Sequence, residues 1–115
     1  MNKIEAIIRP EKLNAVKDAL SDAGLPGINV AQVTGRGAQR GIEVGGPRGV
    51  AGSYVVDMLP KVKLETVVRD EDTRKAIDII VETSRTGNIG DGKIFITPVA
   101  NAIRIRTGEE GEIAL

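Results

Sequence analysis

The apolar positions of this chain change period in a fixed order, and that order limits the folds open to it. Over residues 3–9, Ile4, Ala6 and Ile8 alternate with Lys3, Glu5, Ile7 and Arg9, the spacing of a half-buried strand that Pro10 closes. Leu13, Val16, Leu20 and Ala23 then recur at helical spacing, and Gly24 followed by Pro26 stops that helix. Residues 28–33 read as a second strand with Val30 buried. After a glycine-rich stretch, residues 54–58 lead through Pro60 into a third strand at 61–68, where Val62, Leu64 and Val68 alternate with Lys61, Lys63 and Glu65. Asp70, Glu71 and Asp72 supply caps and negative charge to a second helix. Its inner stripe is Thr73, Ala76, Ile77, Ile80, Val81 and Ser84, and its expected end is Gly87. Residues 93–99 form a fourth strand, and the tail IRIRTGEEGEIAL starts extended and turns polar. The predicted fold is α+β, a ferredoxin-like split βαβ (βαββαβ) antiparallel sheet with two helices on one face. The other face mixes Lys3, Glu5, Arg9, Lys61, Lys63 and Glu65 with Ile7 and Val67. It is either half-solvated or buried against further copies in a symmetric oligomer, with charges paired across subunits.

Between strands two and three, residues 35–52 hold seven of the 14 glycines and three arginines and follow neither period. A loop this long without regular structure is unusual inside a compact domain and tends to be functional or disordered. At 115 residues the chain makes one domain, 1–115.

Composition removes several classes of chemistry. The chain has no cysteine and no histidine, so disulfides, thiolate nucleophiles, thiolate or imidazole metal sites and the usual general base are absent. Tyr54 and Phe95 are its only aromatic residues, too few for a base-stacking platform. Sixteen basic residues balance 16 acidic ones, so no overall field draws the protein to nucleic acid or to an anionic membrane. No signal-peptide pattern and no apolar run long enough to span a bilayer is visible, which gives a cytoplasmic expectation without membrane insertion.

Two segments carry anion-binding chemistry. TGNIGDGKIF, residues 86–95, sets Gly87 and Gly92 ahead of Lys93 as in GxxxxGK(S/T), but Ile94 replaces the magnesium-binding hydroxyl. The order is also inverted, because a helix precedes the loop and a strand follows it, so no helix N-terminus meets the phosphate. A Walker ATPase is therefore excluded. GRGAQRG, residues 35–41, spaces its third glycine wrongly for a dinucleotide fingerprint. What remains is a glycine loop whose amides can converge on an anion, with Lys93 adding charge; alone, it is more simply a helix-ending turn with a solvent lysine. Arg104 and Arg106 lie two apart and would share one side of an extended strand, able to meet phosphate oxygens or to stand in solvent.

KIEAIIRPEKL, GRGAQRG, DMLPKVKLETVV, TGNIGDGKIF and IRIRTGEEGEIAL together resemble the PII signal-transduction proteins over essentially the whole length. The resemblance implies a homotrimer binding ATP or ADP in clefts between neighbours, with a T-loop, here about 37–55, that docks onto target proteins. It implies that Gly90, Asp91, Gly92, Lys93, Arg104 and Arg106 contact phosphate. Gly35 and Gly37 would border the nucleotide with Ile7 also contacting it, and Asn29, Glu65 and Val67 would lie near the adenine. Gln39 would hold Mg together with the nucleotide and 2-oxoglutarate. Lys61 would pair with a carboxylate of that acid beside Arg40 and Gly41.

Departures from the family pattern are also visible. Ala38 stands where an arginine is common, Arg40 where a lysine is, and Asn29 where threonine is frequent. The loop tip GIEVGGPRGVAGSY lacks the YRGAEY signature. Tyr54 falls on the tyrosine that some bacterial relatives uridylylate, but its flanks do not match that substrate context, and it reads equally as the start of a strand. The resemblance thus implies a non-enzymatic regulator, possible targets being an ammonium transporter, a nitrogen-metabolism protein or another membrane transporter. A PII-like adenylate energy sensor that ignores 2-oxoglutarate is the first alternative. A small acyl phosphate hydrolase on the same fold is the second.

Overall fold

The computed structural model describes residues 1–36 and 58–115 in full, and the backbone of Ile42–Gly45 and Ser53–Val56. The chain runs β1 (Asn2–Ile8), a 3-10 turn (Pro10–Lys12), α1 (Leu13–Asp22), β2 (Asn29–Gly35), β3 (Ile42–Gly45), β4 (Ser53–Val56), β5 (Leu59–Val68), α2 (Asp70–Ser84), β6 (Gly92–Pro98) and a last 3-10 turn (Gly111–Ala114). β2, β5, β1 and β6 form, in that order, a four-stranded sheet with every neighbouring pair antiparallel. Each helix therefore links two strands that flank a third, which is the ferredoxin-like arrangement expected from the sequence.

Strand alternation builds the core. Ile4, Ala6 and Ile8 of β1 and Val62, Leu64 and Val68 of β5 point to one face, where Val16 and Leu20 of α1 and Ala76 and Ile80 of α2 cover them. Leu64 and Ile4 are wholly buried, each contributing on the order of 1.5–3 kcal/mol by leaving water. The buried Thr66 hydroxyl donates to the Gly27 carbonyl at 2.7 Å, tying the α1–β2 connection to the sheet.

Five expectations are corrected. Val30 is 45 % exposed, because β2 is an edge strand and the row it joins through Leu64 ends there. The stretch 35–52 is not wholly without regular structure, and residues 54–58 do not run on into the third strand. β3 and β4 instead pair with each other as a separate two-stranded ribbon, Ile42 opposite Val56 and Val44 opposite Tyr54. Four-residue strands are too short for alternation to register as a pattern. α2 stops at Ser84 instead of Gly87, since Arg85 is extended (φ −69°, ψ 133°) and the next two amides turn to a carboxylate, described below. Finally, the acidic residues opening α2 do not cap it through their side chains. Arg69 is the N-cap without a side-chain cap bond, and Asp70 binds the N-terminal ammonium of Met1 at 2.9 Å. Their effect on the helix is that of charge near its positive end.

Candidate functional site

At one end of the sheet, residues 85–93 fold around a single carboxylate. Asp91 accepts from the Thr86 amide at 2.8 Å, from the Gly87 amide at 2.8 Å, from the Thr86 hydroxyl, and from Arg9 Nε at 3.1 Å. The Thr86 hydroxyl foremost, then these amides and Arg9, hold the Asp91 carboxyl well below the usual carboxylate range. Gly87, Gly90 and Gly92 all take positive φ. At Gly92 (φ +107°) a Cβ would lie 1.6 Å from the Ile7 carbonyl oxygen, so no other residue fits where the loop joins β6.

Two cations brace the same loop from behind. Arg9 Nη2 donates to the Ile89 carbonyl at 2.9 Å, and Lys61 Nζ to the Gly90 carbonyl at 2.7 Å. Burial, then the neighbouring Arg9 charge, pushes the Lys61 ammonium below its ordinary pKa. Lys93 stands exposed on β6, opposite Ile7. Gly92 and Lys93 border a cleft of about 380 Å³ closed on its other side by Ile77 and Val81 of α2.

The open face of the sheet follows from the register. Lys93, Ile7, Lys63 and Ala31 form one row across the strands, and Phe95, Glu5, Glu65 and Asn29 the next. Glu5 and Glu65 sit directly opposite, an unfavourable pairing of like charges that Lys63 offsets by reaching both at 3.5 Å. Lys3 approaches Glu65 at 3.8 Å. These charges pair within the chain, on a face that the sequence pattern left either half-solvated or buried against further copies. Phe95 is 51 % exposed on this face, and Val67 is half-buried beside Lys3.

The tail differs from expectation. Arg104 and Arg106 do not share the side of a strand, because only Ile103 makes a bridge, to Glu110, and residues 105–107 turn. The Gly108 amide donates to the Arg104 carbonyl at 2.7 Å, closing that turn. Arg104 donates to Glu109 at 2.9 Å and to the Ile113 carbonyl at 2.7 Å, whereas Arg106 is exposed. Gly108, at φ +74°, follows that turn.

The tail also lies at the other end of the sheet. The Val99 amide donates to the Met1 carbonyl, Arg69 approaches Glu112, and a second cleft of about 540 Å³ is lined by Gly27, Val67 and Glu112 among others. Along β1 the two ends are separated by seven residues, roughly 20 Å. The chain thus brings Lys61, Gly90, Asp91, Gly92 and Lys93 together, with Ile7 adjacent in register. Arg104 and Arg106 stand apart from them. Asn29 and Glu65 face each other mid-sheet, and Gly35 ends β2 opposite Leu59. Gly37, Gln39, Arg40 and Gly41 lie outside the described residues, as does the side chain of Tyr54. Among the described residues, no group of three carboxylates forms a metal site, and no helix is long and apolar enough to cross a membrane. Sequence reasoning missed Arg9 and Thr86. Arg9 read only as the outer face of a strand end and Thr86 as a helix terminus, and their shared partner is remote from Arg9 in the chain.

Fold and loop together define a small ferredoxin-like domain with an amide-rich, lysine-flanked turn at one sheet end. The family model described as nitrogen regulatory protein P-II matches residues 1–109. The chain is 57% identical to the nitrogen regulatory protein P-II of Cereibacter sphaeroides over all of both chains. It is 53% identical to that of Pasteurella multocida, again over all of both, and 53% identical to nitrogen regulatory protein P-II 1 of Methanothermobacter thermautotrophicus, covering 97% of it. The chain belongs to the nitrogen regulatory protein P-II family, and its role is signal transduction.

Proposed function

We propose that the protein is a non-enzymatic homotrimer that binds ATP and ADP in clefts between subunits and regulates a target through residues 37–55. One observation carries this reading: the loop at 90–93 and the arginines at 104 and 106 occupy opposite ends of a subunit. A polyphosphate site using both sets needs two copies. The edges β2 and β6, unpaired among the described residues, and the exposed Phe95 on the open face favour such assembly. Four charge-assisted contacts at about 1.5–3 kcal/mol each give roughly 6–12 kcal/mol, enough for micromolar binding at ~8 kcal/mol when ordering costs are small. Effectors that prefer different states of the 37–55 segment would then shift the population able to dock, by no more than their differential affinity.

In this reading Mg and 2-oxoglutarate join the nucleotide through Gln39, Arg40, Gly41 and Lys61. Lys61 donates one N–H to the Gly90 carbonyl, and its ammonium keeps two further donors for a carboxylate. Ala38 and the altered loop tip motivate a second reading, an adenylate sensor blind to 2-oxoglutarate. Calorimetry with ADP and ATP, and then with 2-oxoglutarate in MgATP, tests both. Competitive nucleotide binding weakened by Lys93→Met and by Arg106→Met supports the proposal, and no heat from either nucleotide at millimolar concentration rejects it. A 2-oxoglutarate signal abolished by Lys61→Ala decides against the second reading. Phosphate release well above background from ATP or an acyl phosphate would make the protein an enzyme instead.

A further inference from the structure

We propose that Arg9, assisted by Lys61, is a positioning residue of the nucleotide site that aims the backbone amides of the loop without touching the ligand. The proposal rests on the reading of residues 90–93 as a phosphate loop. A trans peptide plane holds its carbonyl and the following N–H antiparallel. Arg9 fixes the Ile89 carbonyl, so the Gly90 N–H points away from Arg9; Lys61 fixes the Gly90 carbonyl, so the Asp91 N–H points away from Lys61. Among the described residues, neither amide donates within the chain. The two carbonyls belong to consecutive peptide planes, and each N–H lies opposite the cation that holds its carbonyl.

Glycines at 87, 90 and 92 leave this stretch free to rotate its peptide planes, since each accepts positive φ without side-chain cost. Something outside the stretch must therefore choose the orientation. Asp91 fixes the loop's beginning through Thr86 and Gly87, and the Gly92 junction fixes its end, which leaves the planes after Ile89 and Gly90 to the two cations. The same Arg9 guanidinium also holds the Asp91 carboxylate through Nε, turning that negative charge back toward the protein. Prealigned donors cost an anion less ordering than donors that must be gathered on binding.

The test uses the full chain, with ¹⁵N relaxation on the ligand-free protein and calorimetry with ADP in the absence of Mg and 2-oxoglutarate. In wild type the Gly90 and Asp91 N–H groups should be as rigid as strand amides, with order parameters of about 0.85. Arg9→Met should drop both below about 0.6 while Ile4 and Leu64 stay unchanged, and should weaken ADP about tenfold. Arg9→Lys, which keeps one donor to the loop, should restore part of each. Lys17→Met, on the exposed side of α1, should change neither. Weaker ADP binding with unaltered order parameters would mean that Arg9 meets the nucleotide itself, and unaltered values of both would mean that it is a surface charge; either overturns the proposal. Where Arg9→Met loosens the whole domain, Lys61→Met repeats the test at the Gly90 carbonyl. If wild type binds no ADP, the phosphate-loop reading fails and this inference with it, whereas ADP binding with order parameters unmoved by Arg9→Met overturns this inference alone.

Discussion

Gly92→Ala isolates the cost of closing the loop onto the sheet. Two penalties act together. The backbone at φ +107° is one that L side chains rarely adopt, costing about 1–2 kcal/mol. The new methyl carbon would also start 1.6 Å from the Ile7 carbonyl oxygen, a backbone atom that cannot rotate away, so β6 must separate from β1 at the Ile8–Gly92 pair. Losing one or two ladder hydrogen bonds at roughly 1 kcal/mol each brings the total to about 2–4 kcal/mol. With a urea slope on the order of 1.3 kcal/mol/M for a chain this size, the unfolding midpoint should fall by roughly 1.5–3 M. Gly35→Ala is the matched control. Its Cβ would meet only Lys61 Cγ, at 3.6 Å, an ordinary contact, so it should leave the midpoint nearly unchanged or raise it slightly. Both are measured by urea unfolding at one fixed protein concentration, since the assembly proposed above would make the midpoint depend on it. A Gly92→Ala midpoint equal to that of Gly35→Ala would refute the claim that the Ile7 carbonyl excludes a side chain.

Three further outcomes are expected. Thr66→Val keeps shape but leaves the Gly27 carbonyl without its buried donor, which should cost about 1–2 kcal/mol and lower Tm by about 5 °C, read by thermal melts. Leu64→Ala empties the centre of the core and should cost about 2–5 kcal/mol in urea, the upper end if the site cannot collapse. Because the folded pKa of Asp91 is depressed, its stabilising contribution is complete above the unfolded value of about 3.9 and is lost as pH falls through and below it. The Tm gap between wild type and Asp91→Asn should therefore narrow between pH 7 and pH 3, and a constant gap would show that the carboxylate's charge is not what the loop uses.

Legibility differed between parts of the chain for physical reasons. The main strands and both helices could be read because Ile4, Ala6 and Ile8, or Ala76 and Ile80, bury against one core, and a one-sided core imposes its period on the sequence. Tail residues 103–106 defeated the same rule. Ile105 is 99 % exposed, so the alternation of isoleucine and arginine there records no buried face in this subunit. The ribbon of β3 and β4 was equally invisible, being held by its own backbone ladder apart from the main sheet.

From the sequence alone came the element order, the core rows, the absence of thiol and imidazole chemistry, and the family, because these depend on local period, residue inventory and motif. Only the tertiary structure could bring Arg9, Lys61, Thr86 and Asp91 to one loop while holding Arg104 and Arg106 at the other end of the sheet. Those are relations between strands paired antiparallel. Which ends meet is fixed by register and crossover, and neither leaves a mark on the individual residues.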